Sequence, residues 1–199
     1  MRFVVTGTDT DVGKTVFCAG LAGLLGASYW KPVQAGFPTD SQTVAALAGV
    51  EILPEAYRLK LAASPHQAAE AQGITIDPGG LVPPDGPVVI EGAGGLMVPL
   101  TRQALFIDVF ARWQIPLILC ARTRLGTINH TLLSLAAIRA RSIPLHGVAF
   151  IGEANEESER IITEMGAVKR LGRLPLIEPL TPGRLVDVFA KAFNAADFA

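Results

Sequence analysis

Cysteine is scarce in this sequence, charge is sparse and balanced, and no apolar run is long enough to cross a bilayer. The two cysteines, Cys18 and Cys120, stand in apolar surroundings without metal-ligand spacing. That argues against a disulfide scaffold or a thiolate metal site, and predicts reduced core thiols in a cytoplasmic protein. Charged residues are only 18% of the chain and leave a formal net charge of −1, and no basic run is interleaved with aromatics. Electrostatic capture of nucleic acid or of an anionic membrane is therefore not expected. The apolar run after Met1-Arg2 ends at once in a Gly-rich turn, too short for a secretory leader. Repeats, low-complexity tracts and linker-like stretches are missing too. Partners should be small molecules or protein.

Half of the 199 residues are apolar, enough for one α/β domain spanning positions 1–199 with a substantial core. Short β-rich apolar runs alternate with longer helix-like segments. Strands are expected at Arg2–Thr6, Tyr29–Val33, Val88–Ile90, Pro116–Ala121, Leu145–Ile151 and Arg170–Leu174. Helices are expected at Lys14–Ala27, Ser41–Gly49, Pro65–Gly73, Leu105–Gln114, Thr127–Arg141, Ser158–Met165 and Pro182–Phe193. The all-apolar Val88-Val89-Ile90 reads as a strand buried on both faces. The Pro/Gly-rich stretch Asp77–Pro87 reads as a surface loop. Together these predict a P-loop NTPase-like three-layer fold, with a mainly parallel central sheet and helices on both faces.

The first strand runs into Gly7-Thr8-Asp9-Thr10-Asp11-Val12-Gly13-Lys14-Thr15. The usual phosphate-binding pattern, G-x-x-x-x-G-K-S/T, is missed by one residue, because strict spacing would place its first glycine where Thr8 stands. The physics is unaffected. A turn that directs backbone N–H groups inward, followed by a helix N-terminus, favours phosphate through fixed donors and the helix dipole. Gly13 lets the main chain approach, Lys14 neutralises the β/γ region of a nucleoside triphosphate, and the Thr15 hydroxyl can ligate Mg²⁺. Glu91 ends a buried strand at the sheet edge where α/β ligands sit, and Gly92–Gly95 follow it. Lys31, in Trp30-Lys31-Pro32-Val33-Gln34, ends the second strand; it faces the transferring phosphoryl group if that strand neighbours the first. Asp40 by itself reads as a helix cap.

Five motifs in order, the Gly7–Thr15 turn, Lys31-Pro-Val-Gln34, Ser64-Pro-His66, Glu91-Gly-Ala-Gly-Gly95 and Leu125-Gly-Thr-Ile-Asn-His130, closely resemble dethiobiotin synthetase. The likeness runs to about Phe150 and is looser beyond. It implies ATP- and Mg²⁺-dependent carboxylation of 7,8-diaminopelargonate, with CO₂ or bicarbonate as the one-carbon source. A carbamate forms on one amine, its oxygen attacks the γ-phosphate to give a carbamic–phosphoric anhydride, and the second amine closes the ring with loss of phosphate. The resemblance further implies that Lys14, Lys31 and Thr10 are catalytic, and that Thr15, Asp40 and Glu91 surround Mg²⁺. ATP contacts would come from Asp11, Val12, Gly13, Lys14, Thr15, Val16, Asp40, Glu91, Gly92, Ala93 and Gly94, with Pro175, Leu176 and Ile177 around the base. Substrate contacts would come from Thr10, Lys31, Ala35, and from Gly126, Thr127, Ile128 and Asn129 across a homodimer interface. His66 and His130 read as structural, and Trp30 and Trp113 as packing residues.

Two departures bear on specificity. Ala35 stands where the family often carries a hydroxyl, and Ile151-Gly152 replaces an Asn that reads the adenine edge, so base discrimination is expected to relax. ATP is favoured, with CTP open. Three rivals share the fold or its chemistry. A partitioning or MinD-like switch ATPase would carry a signature Lys five residues before Lys14, where this chain has Asp9. A cobalamin-type amidoligase needs a glutaminase domain. A non-catalytic nucleotide-binding module does not need Lys14, Thr15, Lys31 and Glu91 together.

Overall fold

The computed structural model describes residues 1–198. β1 (Arg2–Gly7) lies in the middle of a seven-stranded sheet, flanked by β6 (Val88–Gly95) on one side and β7 (Leu117–Arg122) on the other. Beyond β6 come β2 (Ser28–Trp30) and β4 (Ile52–Leu53); beyond β7 come β8 (Leu145–Ile151) and β9 (Arg170–Leu174). Every pairing in this sheet is parallel. A second, two-stranded parallel sheet is made by β3 (Val33–Ala35) and β5 (Tyr57–Leu59). The apolar, β-branched runs that form the central strands are buried on both faces, as parallel strands covered by helices require.

The alternation of side chains across the sheet divides the core in two. One face, carrying Phe3, Val5, Tyr29, Val89, Ile118 and Cys120, packs against α1 (Lys14–Leu25) and α7 (Pro182–Ala192), with α2 (Asp40–Ala48) alongside. The other, carrying Val4, Trp30, Ile90, Leu117 and Leu119, packs against α3 (Pro65–Glu70), α4 (Phe106–Trp113), α5 (Thr127–Ala140) and α6 (Glu156–Met165). Trp30 and Trp113 pack with ring centroids 5.9 Å apart, and each indole N–H finds a carbonyl, Pro54 and Leu81 respectively. They are packing residues. Gly20 of α1 lets α7 come close, for a Cβ there would lie 2.1 Å from the Phe189 ring.

Several boundaries differ from expectation for local reasons. The expected strand Tyr29–Val33 is broken at Lys31-Pro32: β2 ends at Trp30 and the chain restarts in the other sheet at Val33. Proline has no N–H to give the ladder, so the break falls where Pro32 stands. β2 pairs with β6 and not with β1, so β6 stands between the second strand and the phosphate turn. α2 begins at Asp40, and its cap is Thr39. The Thr39 hydroxyl accepts from Gln42 N–H while Gln42 Oε1 accepts from Thr39 N–H, a reciprocal capping box. Asp40 is thereby released from capping. β4, β5 and a terminal 3₁₀ turn, Ala195–Phe198, are too short to carry a readable period.

Candidate active site

The turn after β1 is one residue longer than the usual phosphate loop, and the extra length is taken up by close packing. A Cβ on Gly7 would lie 2.8 Å from both Asp9 O and Val12 Cγ2, so Val12 folds back over Gly7 and is buried. Asp11 (φ 53°) and Gly13 (φ 92°) adopt left-handed backbone, the conformation that curls a turn so that successive N–H groups share one hollow. Lys14 reaches back across it and donates to Asp9 O at 2.9 Å.

The turn opens on a cleft of about 760 Å³ lined by residues from four places in the sequence. Thr10, Asp11, Gly13, Lys14, Thr15 and Val16 come from the turn and α1; Lys31, Gln34, Ala35 and Asp40 from the segment after β2; Glu91, Ala93 and Gly94 from β6; Ser64 and Pro65 from the start of α3. At its centre Lys31 Nζ lies 2.6 Å from Asp40 Oδ2 and 3.1 Å from Glu91 Oε1, and donates to Gly92 O at 3.0 Å. Thr15 Oγ1 donates within reach of both carboxylates, 3.1 Å to Asp40 Oδ1 and 3.0 Å to Glu91 Oε1. Four side chains, from α1, α2, β6 and the break after β2, thus meet at one point. Glu91 is almost fully buried, and Tyr29 Oη donates to its second oxygen at 2.8 Å.

Burial and charge treat the two lysines differently. Burial pulls the Lys14 ammonium below its ordinary value; Glu91 opposes this and Lys31 reinforces it. For Lys31 burial also favours the neutral form, but Glu91 and Asp40 outweigh it and its pKa rises. Lys31 is therefore a fixed cation, and Lys14 the more easily discharged one.

The set Thr15 Oγ1, Asp40 and Glu91 suits a hard divalent cation that keeps several waters and shares phosphate oxygens, as Mg²⁺ does. Among the described residues no cluster of three His, Cys, Asp or Glu side chains is close enough to bind a metal without such help.

Gln34 had no role in the sequence reading. Its Oε1 accepts from Asp40 N–H at 3.0 Å while its Nε2 donates to Ala35 O and Gly36 O, so one buried amide folds the loop that delivers Asp40. Only the fold reveals this, because Gln34 lies in β3 and Asp40 opens α2, and no local pattern sets how the loop between them folds.

Other expected residues lie outside the cleft. Gly92 abuts Phe110, where a Cβ would come within 2.8 Å of the ring, and reaches the site only through its carbonyl. Pro175, Leu176 and Ile177 follow β9 and do not line it. Gly126–Asn129 start α5, also outside it; the Thr127 hydroxyl is turned inward to Arg122 O. Ile151 packs on Gly13, and Gly152 (φ 127°) leaves no space for a side chain, since a Cβ would lie 2.6 Å from Thr123 Oγ1. No Asn could stand at position 152 without moving Thr123.

A family model described as an AAA domain matches residues 1–184. A protein of Agrobacterium fabrum named ATP-dependent dethiobiotin synthetase BioD is 63% identical, with 100% of this chain and 97% of the relative aligned. The chain belongs to the dethiobiotin synthetase family. A protein of the same name from Sphingopyxis alaskensis is 57% identical over 99% of this chain and 98% of its own length. The family likeness therefore continues past Phe150 through the last quarter of the chain. Among solved structures, a ParA family ATPase from Chlorobium tepidum (TM-score 0.58, 10% identity, 96% of each chain) and the cell division ATPase MinD of Pyrococcus furiosus (TM-score 0.59, 11% identity, 99% and 98%) share the fold. At that identity they establish the P-loop architecture alone.

Proposed function

We propose that this chain is an ATP-dependent dethiobiotin synthetase, which takes 7,8-diaminopelargonate, CO₂ and ATP to dethiobiotin, ADP and phosphate. The observation that carries the reading is the meeting of Lys31, Thr15, Asp40 and Glu91 beside the Lys14 turn, in a chain most of whose length aligns with that family. The reaction must turn a carbamate, a poor electrophile, into one that an amine can attack. Phosphorylating it needs in-line positioning and neutralisation of spreading negative charge rather than acid–base catalysis. None of the three histidines lines the cleft.

Each group then has a place in the sequence of events. The turn Asp11–Val16 holds the phosphates by its N–H groups, and Lys14 exchanges Asp9 O for the β/γ oxygens. Lys31, kept cationic by two carboxylates, faces the γ-phosphoryl group and the incoming carbamate oxygen, with Thr10 at the carbamate end. Thr15, Asp40 and Glu91 would hold Mg²⁺, which would offset the negative charge of the phosphate groups. Ala35 offers the substrate no hydroxyl, so that contact falls to neighbouring backbone or to Ser64. The Gly126–Asn129 turn takes the remote carboxylate of a substrate bound to a second copy, at a homodimer interface. The N–H groups of a helix start suit an anion, and the exposed Leu125 and Leu133 beside them suit an apolar contact.

A switch ATPase is the alternative that the fold likeness invites. Asp9 in place of its signature Lys, and identity near 60% to synthetases against about 10% to the switch proteins, weigh against it. The test gives purified protein diaminopelargonate, bicarbonate and Mg²⁺ with ATP, CTP or GTP in turn, and follows phosphate. Diamine-dependent release with ATP supports the reading, and appreciable release with CTP supports relaxed base selection. No diamine-dependent release with any nucleotide sinks it.

A further inference from the structure

The two oxygens of Glu91 have different neighbours. Oε1 faces the cleft and accepts from Thr15 Oγ1 and Lys31 Nζ. Oε2 points into the layer between the sheet and α1, where Tyr29 Oη donates to it at 2.8 Å. Tyr29 has no exposed surface, and its ring packs in the core that covers this face of the sheet. The register explains the reach. Tyr29 is level with Val89 on the adjacent strand, two residues short of Glu91 on the same face, and an aromatic side chain spans that diagonal. Tyr29 does not line the cleft, so it touches neither phosphate nor substrate.

We propose that Tyr29 is a positioning residue for the metal-binding carboxylate: its phenol anchors Oε2, so that Oε1 is the oxygen presented to Thr15, Lys31 and Mg²⁺. This rests on the reading of Thr15, Asp40 and Glu91 as the Mg²⁺ site. Held at one oxygen only, a carboxylate beside a buried ammonium is free to rotate and offer Lys31 both oxygens. Mg²⁺ demands near-ideal octahedral geometry and tolerates such rotation poorly. The sequence carries the pattern in small compass, since Lys31 follows β2 directly, two residues after Tyr29, and the two reach the same acid from the core side and from the cleft side.

Tyr29→Phe keeps the ring and removes the donor. Mn²⁺ binding in the presence of ADP, followed by electron paramagnetic resonance without diamine, reads the site directly. The expected result is Mn²⁺ affinity about tenfold weaker or more, as for other outer-shell partners of metal ligands, with metal-free ADP affinity changed less than about twofold. In a Glu91→Gln background the same substitution should cost less than about twofold more, because the two residues act as one unit. This double variant leaves no buried carboxylate unpaired, so it also reports where Tyr29→Phe alone is poorly folded. Mn²⁺ affinity of Tyr29→Phe within about twofold of wild type, or full additivity with Glu91→Gln, overturns the proposal. Wild-type protein whose ADP binding is indifferent to Mn²⁺, or a Glu91→Gln variant with normal Mn²⁺ affinity, instead overturns the Mg²⁺-site reading beneath it.

Discussion

Lys31 Nζ and Glu91 Oε1 face each other at 3.1 Å, both side chains almost wholly withdrawn from solvent, with Asp40 Oδ2 on the same ammonium at 2.6 Å. The pair joins the segment just after β2 to β6 at the level of the phosphate turn. Removing the cation leaves a buried carboxylate uncompensated, which typically costs about 3–5 kcal/mol. Lys31→Ala is therefore expected to abolish turnover, leave nucleotide binding largely intact, and lower the melting temperature in metal-free buffer. Mg²⁺, drawn to the freed carboxylates, should raise the variant's melting temperature more than the wild type's. Phosphate release and thermal melts with and without Mg²⁺ measure both; near-normal turnover would remove Lys31 from its role.

The opposite pKa shifts of the two lysines predict a particular pH profile. Lys14 is lowered below its ordinary 10.5, chiefly by burial, so in the free protein it loses its proton at lower pH than an exposed lysine. Bound phosphates favour the ammonium and raise that pKa again, so nucleotide binding takes up a proton at alkaline pH. As pH rises, kcat/KM for ATP should fall first, while kcat holds to higher pH. Lys31, shifted up, stays charged throughout. Coincident alkaline limbs for the two parameters would contradict the assignment to Lys14.

Gly13 is required twice over, by φ 92° and by Ile151, whose Cγ2 lies 2.8 Å from where a Cβ would stand. Gly13→Ala should weaken ATP binding strongly. Adding Ile151→Ala relieves the clash but not the left-handed backbone, which costs an alanine roughly 1–2 kcal/mol. Calorimetric titration of the single and double variants separates these, and complete recovery in the double would show that backbone conformation matters little here.

Far from the cleft, Gly20→Ala should act on stability alone. Its Cβ would meet the Phe189 ring at 2.1 Å, forcing α1 and α7 apart, and overpacking of this kind costs about 1–3 kcal/mol. Denaturant unfolding should show the loss with KM for ATP unchanged; an altered KM would mean that α1 transmits the displacement to Lys14 and Thr15.

Which parts of the site could be read in advance follows from how local each one is. Lys14 and Thr15 belong to a strand–turn–helix whose chemistry is complete within nine residues, and Glu91 ends a run apolar enough to be a central strand. Lys31 depends on sheet order, which no local pattern encodes: β6 lies between β1 and β2, and it is Glu91 on β6 that carries the connection across. Asp40 resembled a cap because Asp commonly is one; only the Thr39–Gln42 box shows that its carboxylate is free for Lys31 and Thr15. The family resemblance supplied Gly126–Asn129 and Pro175–Ile177, and both lie outside the cleft formed by a single chain. Tyr29 carries no signal of its own in the sequence, since a phenol's partner is fixed by the neighbouring strand.

The central claim is that a carbamate oxygen attacks the γ-phosphate. In that course the C–O bond to this oxygen breaks when the second amine closes the ring, and the oxygen leaves with phosphate. With ¹⁸O-labelled bicarbonate supplied before exchange with water, mass spectrometry of the released phosphate is expected to show one ¹⁸O per phosphate, formed only when diaminopelargonate is present. Diamine-independent phosphate free of label would mean simple nucleotide hydrolysis and would contradict the account.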